Sequence, residues 1–535
     1  MLPLGQQALT SGLFDLFWRQ DTKALTGDFS VRIAIIGGGI SGIAAAQSLR
    51  KTGHDVQIYE KSDRIGGVWA MGYPGVRLQN TRDQYRLMDV PWSTKPDLHP
   101  TSAQVQQHLN DAIDKLDLPV KLGHEVTKLE EAEGGWRLHY HNDGDAGQQD
   151  FDFIVLSIGQ YSSGKRRPEF PGQDKFQGEI VTEREITDLS VFAGKKVLVA
   201  GFGKSALDMA TFAVEQASEV HHLFRTPRWM IPFRILGVHY SRLLFCRMGT
   251  FLMPSWVQPN ATEAFIHRKL GFLVRANWHL VQSIVRLQKY LMGFGKSAVV
   301  KARLASLTPK HDIISDFRSA SAMQPQMYLK HVAGERLLPH QGELRAFTQR
   351  GVMLEDGQTI DCDVVVLSLG SGSPTFPFLP DKYRALLESE SDGVQLYRHL
   401  LHPEVPRIAF AGFNHGFMHV PAVEIGMLWL SALLTGDLTL PSAEEMQQSM
   451  EKIQQWKRDH VNFEPSRSCA VNTRFQQYLD VLLKDLGLNP YRKTPNILAE
   501  LFSQYGPDDY VGIYEEYQAG RAQGAQPLRA LAVDT

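Results

Sequence analysis

Two six-residue stretches, GGGISG at 37–42 and GFGKSA at 201–206, repeat one spacing of small residues. Gly37, Gly39 and Gly42 fill the pattern GxGxxG, and Gly201, Gly203 and Ala206 fill it again. In such a set the first glycine permits a tight turn, the second lets a pyrophosphate approach the backbone, and the third lets a helix pack on a strand. The helix that follows offers free N–H groups to phosphate oxygens, and Lys204 and Ser205 open it in the second set. Glu60 stands 23 positions after Gly37, where a carboxylate can accept hydrogen bonds from both hydroxyls of a ribose. The matching place after Gly201 holds Phe224 and Arg225, with Arg228 and Lys204 as further nearby cations. A carboxylate there repels a ribose 2′-phosphate, whereas a guanidinium binds one through two parallel charge-assisted bonds. The opposite charges predict a flavin nucleotide in the first unit and NADPH, in preference to NADH, in the second.

Each set needs a strand before it and a helix after it. VRIAIIGGGISGIAAAQSLRKTGHDVQIYE (31–60) reads as strand, turn, alanine-rich helix, Gly53 stop and second strand,. KKVLVAGFGKSALDMATFAVEQASEVHHLFR (195–225) has the same order. FDFIVLSIG (151–159) and CDVVVLSLG (362–370) are near copies, apolar throughout like buried parallel strands, and they bracket the second unit,. The expected class is α/β, with two Rossmann-like dinucleotide-binding domains, a helical insertion and a helical C-terminal extension. The expected division is an N-terminal arm at 1–29 and a discontinuous first domain at 30–165 and 365–440. A second domain follows at 166–364 with its insertion at about 235–330, and the extension covers 441–535. The extension should pack across the domains or form a subunit contact, and its Gly/Ala-rich end reads as a mobile tail.

A chain of 535 residues calls for several domains,. A formal net charge of −2 gives no overall basic footprint for nucleic acid,. Cys246, Cys362 and Cys469 form neither a CxxC pair nor a zinc spacing,, and His, Cys and acidic residues show no metal-ligand spacing. A reducing cytoplasm fits this cysteine usage. No apolar run reaches membrane-spanning length. ILGVHYSRLLFCRMGTFLMPSW (235–256) mixes aromatics with few charges, which suits a substrate-tunnel wall and leaves peripheral membrane contact open.

With these residues in place, the sequence resembles the class B flavin-dependent monooxygenases, the group of flavin-containing and Baeyer–Villiger monooxygenases. The likeness is carried by EKSDRIGGVW, YPGVRLQNT, FPGQDKFQG, FRTPRW and SLGSGSPTFPFL in that order. It implies FAD in the first unit, NADPH in the second, and transfer of one oxygen atom from O2 to a small organic substrate through a flavin C4a peroxide. It places Gly66, Gly67 and Trp69 against the flavin, and the helix after PRIAFAGFNHGFMH under it, with His415 and His419 as candidate proton carriers. Two departures stand out. The fingerprint FxGxxxH has Thr182 in the histidine place after Phe176 and Gly178, and the aspartate position of the Baeyer–Villiger subgroup holds Gln79, followed by Asn80. Asn80, with a donor and an acceptor, is expected to hold the peroxide oxygen or the nicotinamide ribose amide. N- or S-oxygenation is the expected reaction. Ketone oxygenation and an FAD-dependent dehydrogenase or oxidase are the enzymatic alternatives, and a nucleotide-binding redox sensor is the non-enzymatic one. Nothing in the sequence identifies the substrate or the state of assembly, in which a homo-oligomer is one option.

Overall fold

The computed structural model describes residues 30–160, 164–253, 259–318, 322–461, 467–521 and 526–530. The expected arm at 1–29 and residues 254–256 of the aromatic stretch lie outside the described residues. Ten strands in chain order carry the architecture: β1 (Arg32–Ile36), β2 (Asp55–Tyr59), β3 (Val120–Lys121), β4 (Phe153–Leu156), β5 (Glu179–Val181), β6 (Lys196–Ala200), β7 (Glu219–Phe224), β8 (Leu338–Gln341), β9 (Val364–Leu367) and β10 (Ile408–Phe410). They form two five-stranded parallel sheets, ordered β10-β4-β1-β2-β3 and β8-β7-β6-β9-β5.

The two sheets share one plan. In each, the strand before the glycine turn lies in the middle, flanked by the strand after its helix and by one of the two near-copy strands. β4 and β9 are fully buried, which is why their sequences are apolar without alternation. An antiparallel three-stranded unit precedes each of them, at Glu125–Phe151 and at Leu344–Asp361. One expectation moves. The return to the first domain was placed at 364–365, but that point lies inside β9, which pairs with β6 and β5. The near copies are equivalent strands of two sheets, so the chain leaves the second sheet only after Leu367.

Helices α1 (Ile40–Lys51) and α2 (Lys204–Ala213) follow the two glycine turns, and α3 (Gly271–Met292) lies in the insertion between β7 and β8. After β10 come α4 (His419–Leu434), α5 (Ala443–His460) and α6 (Phe475–Asp485). Buried residues run from Val420 to Ala432 without a break because α4 packs against both α1 and α6. α5 starts with a capping box in which Ser442 and Glu445 bond each other's backbone N–H,.

The segment beyond 441 is part of the first domain's core: Leu479, Leu482, Tyr510 and Tyr514 share one apolar cluster with Ile33, Ile43 and Val423. Of the tail expected to be mobile, residues 522–525 and 531–535 lie outside the described residues, and 526–530 are described. Leu528–Arg529 adds a parallel strand to Leu438–Thr439, and Ala530 is buried. Its apolar residues find a sheet edge, which the polar composition before them conceals.

Candidate functional site

The two glycine turns have one geometry. Gly37 and Gly201 take φ of +113° and +127°, values that side chains rarely adopt. A Cβ on Gly37 would collide with the carbonyl oxygen of Ser157, the residue after β4, and one on Gly201 with that of Ser368, the residue after β9. A Cβ on Gly42 would collide with the Gly37 oxygen. The middle glycines differ. No atom lies within 4 Å of where a Cβ would stand on Gly203, and on Gly39 the nearest is Gly67 Cα at 3.9 Å. Both are helix N-caps in extended geometry, φ −76° and −78°, with no side chain capping the first turn. Two of the three small residues are thus required by packing, while the middle one leaves space in front of unbonded N–H groups. Each cradle fits a pyrophosphate.

Around the first cradle, Glu60 is buried at the tip of β2, and its carboxylate accepts from Gly38 N at 2.7 Å and Ser62 N at 2.9 Å. Those bonds fix the carboxylate beside the turn. Gly66 N donates to Gly38 O at 2.9 Å, and Gly67 lies against Gly39. The Trp69 indole N–H donates to Tyr85 Oη at 2.8 Å. His419, at the start of α4, meets Ser41 Oγ of α1 at 2.8 Å. Burial lowers its pKa to about 4, so it is neutral at physiological pH and joins the N-terminus of α4 to that of α1. His415 lies on a short strand paired with Ala470.

Asn80 is buried, and its Nδ2 donates to the Phe417 carbonyl of the loop before α4. Its own carbonyl accepts from His99 Nδ1 at 2.9 Å. Gln79 reaches the other way: its Oε1 accepts from Met323 N at 2.9 Å, and its carbonyl accepts from Tyr240 Oη of the insertion. The Gln79–Asn80 pair therefore links the loop before α4 to the insertion.

Beside the pair stands an aromatic wall of which the sequence pointed only to the 235–256 stretch, with His99, Phe233, Phe417 and Phe475 unforeseen. His99 lies 4.6 Å from Phe233 between ring centroids, Phe245 lies 5.2 Å from Phe417, and Phe245 lies 5.7 Å from Phe475. Its members come from four distant segments. Burial also lowers the pKa of His99 and takes that of His239 to about 4, so this wall carries no charge from either ring at neutral pH.

Thr182, the candidate catalytic residue in the fingerprint's histidine place, is buried just after β5. Its backbone N–H and its hydroxyl both donate to Glu185, at 2.6 and 2.8 Å, so it closes a turn after β5. The neighbouring Glu183 is buried against Lys165 at 2.6 Å.

At the second cradle, Arg225 stands just past β7 and is 76% exposed, its Nε 3.9 Å from Glu343. A depression of about 260 Å³ beside it is lined also by Glu355 and Asp356, so local carboxylates compete for the guanidinium. Lys204 does not add a free cation, because its ammonium is held by Asp208 one turn along α2. Tyr73 of the first domain donates to the same Asp208 at 2.8 Å and is bonded to Ser205. Lys204 and Ser205 are thereby drawn into a contact between the two nucleotide units. Among the described residues no group of His, Cys, Asp and Glu is arranged to hold a metal ion, and no helix is long and apolar enough to cross a membrane.

Comparison with known proteins agrees with this geometry. Residues 34–232 match the family model described as pyridine nucleotide-disulphide oxidoreductase, and residues 332–504 match the one described as flavin-binding monooxygenase-like. A probable flavin-containing monooxygenase 1 of Arabidopsis thaliana is 29% identical, over 90% of this chain and 96% of its own. Among solved structures, the S-allyl-L-cysteine S-oxygenase of Allium sativum aligns with a TM-score of 0.59 at 19% identity, covering 92% of this chain and 94% of that one. The NADP+-bound cyclohexanone monooxygenase of Rhodococcus sp. Phi1 aligns with a TM-score of 0.63 at 19% identity, covering 86% and 97%. Two cradles of one design, an acid at one strand tip and an arginine at the other, and matches along both halves lead to one conclusion: the chain is an FAD- and NADPH-dependent monooxygenase similar to the class B flavin enzymes.

Proposed function

We propose that this monooxygenase transfers one oxygen atom from O2 to a nitrogen or sulfur centre of a small organic molecule, with FAD in the cradle of Gly37, Gly39 and Gly42 and NADPH in that of Gly201 and Gly203. The observation that carries the proposal is Asn80, a neutral amide tied to the Phe417 loop beside an uncharged aromatic wall. The bound flavin supplies the redox and oxygen chemistry.

The chain's own residues supply position and exclusion of water. Glu60 would hold the adenosine ribose of FAD by its hydroxyls, and Arg225 would bind the 2′-phosphate of NADPH. Gly66, Gly67 and Trp69 wall the flavin. Asn80 holds the loop before α4 in place and keeps its remaining amide capacity for a polar group of cofactor or oxygen. The unbonded N–H groups at the start of α4 favour negative charge on a ring placed over them. His419, fixed to Ser41, serves position rather than proton transfer. The three cysteines, all buried and none in a disulfide, suit a cytoplasmic setting.

The test is turnover under 18O2 with a panel of sulfides, tertiary amines and ketones, with hydrogen peroxide measured per NADPH consumed. Labelled sulfoxide or N-oxide is expected, and Asn80→Ala is expected to raise the peroxide fraction. Product free of label would rule out oxygen transfer, and labelled ester from the ketones alone would assign the chain to the ketone-oxygenating group.

A further inference from the structure

The insertion has a charge balance unlike the rest of the chain. Between Glu219 and Asp312 the sequence holds fourteen Lys and Arg and one acid, Glu263. The remaining residues hold forty-two Lys and Arg against fifty-seven Asp and Glu. Glu263 itself is buried, and burial raises its pKa to about 8, so it offers no surface negative charge at neutral pH. Arg268, Lys269, Arg275, Arg286, Lys296 and Lys301 are all exposed.

Within this segment α3 is apolar on two opposite sides. Val274, Trp278 and Val285 are buried against the body of the protein. Leu273, Leu280, Leu287 and Phe294 recur at seven-residue intervals, joined by Leu291, and all five are exposed. At roughly 100° per residue the four leucines fall on the side away from the buried row, and Phe294 follows two residues past the helix end,. Leu280 is 60% exposed and Phe294 74%. A helix needs only one apolar side to join a core, so the second requires its own explanation.

The same surface gains from a neighbouring hairpin. Gln288 of α3 donates to the Arg234 carbonyl at 3.4 Å, at the base of an antiparallel pair, Arg234–Ile235 with Val238–His239. The tip of that hairpin is Leu236, at φ +50° and 74% exposed. Polar residues or glycine ordinarily occupy such a place, and a leucine there gains nothing from water.

We propose that the insertion docks on an anionic lipid surface, with the Leu273–Leu280–Leu287 side of α3, Phe294 and the Leu236 tip entering the headgroup boundary and the surrounding cations facing lipid phosphates. Apolar side chains bordered by Lys and Arg on a helix lying in the interface plane are the chemistry of such docking. The charge distribution selects this occupant. A second copy using the same face would set its exposed cations against their own kind, and nucleic acid would leave the leucine row without a partner. The proposal does not depend on the substrate class.

The test is flotation of the full FAD-loaded chain with vesicles of phosphatidylcholine alone or with about 30% phosphatidylserine. Binding is expected to the anionic vesicles only and to fall steeply with added salt. Lys296→Glu with Lys301→Glu should weaken it at least about 25-fold, taking roughly fivefold per cation lost. Leu280→Ser with Leu287→Ser should abolish it while NADPH oxidation in solution is unchanged. Equal capture by both vesicle types, no flotation, or concentration-dependent dimerisation that disappears in the leucine variant would each overturn the proposal. Competition by duplex DNA that survives in the leucine variant would do the same.

Discussion

Arg225 and Glu60 occupy matching strand tips, and the proposed function makes the choice between two nucleotides rest on their charges. Arg225 makes only a long contact to Glu343, so removing its side chain costs the fold little. Arg225→Ala should raise the KM for NADPH about tenfold or more, as loss of charge-assisted bonds worth about 1.5–3 kcal/mol implies, and should leave the KM for NADH nearly unchanged. Steady-state kinetics with both nucleotides decide it, and an equal rise for the two would remove the assignment. These tips were legible because a strand, a turn and a helix of ordinary length fix where residue 23 or 24 must fall. The partners of Thr182, Asn80 and Lys204 were not legible. Glu185, Phe417 and Asp208 are ordinary polar or aromatic positions in the sequence, and only folding makes them neighbours. Glu263 was also silent. Its carboxyl, ordinarily near 4.5, is raised by burial to about 8, so between those values the folded chain holds a proton that the unfolded chain releases. The contribution of Glu263 to stability is therefore full below about pH 4.5 and is lost as pH rises through that window,. Urea midpoints at about pH 5 and pH 8 should show the fall, and Glu263→Gln should flatten it. An unchanged slope would refute the role.

The glycine turns make a prediction about their two kinds of small residue. Gly42 is closed in by the Gly37 carbonyl, whereas Gly203 faces open space at an unstrained φ of −78°. Gly42→Ala should therefore damage the fold itself, lowering the melting temperature and leaving protein unable to retain FAD. Gly203→Ala should melt normally and lose affinity for NADPH. Differential scanning calorimetry combined with NADPH titration separates the two, and a stability loss in both variants would refute the distinction. The turns, α1 and α2 were readable because glycine spacing and a helical apolar period coincide there. The C-terminal helices were readable as helices, but their destination was not. α6 and Tyr514 share a core with β1 because apolar faces complement one another across more than four hundred residues, and no local pattern records that pairing. The Leu528–Arg529 strand was hidden for a related reason: two residues are too few to show a period.

The molecule uses one domain plan twice, with the second copy placed inside the first. The near-copy strands disclosed the repetition early, yet placing the return three residues before the end of β9 shows how a repeat can be recognised while its membership is assigned wrongly. The insertion and the C-terminal helices are joined by Arg247, which is buried on α-helical residues 247–251 and paired with Asp480 at 2.6 Å and with Glu500. Breaking such a pair strands a charge in the interior, so the insertion's cationic surface is anchored to the domain that holds the flavin cradle.

The nesting also bears on how the chain acquires its shape during synthesis. Every strand of the second sheet lies between residues 179 and 367, whereas the first sheet waits for 408–410 and its hydrophobic centre for residues beyond 510. The later-starting unit can thus be finished while the earlier one is still open, with β4 an unpaired edge until β10 is made. A ribosome paused near codon 405 would display a completed pyridine-nucleotide module tethered to half a flavin module, a species that chaperones would have reason to hold.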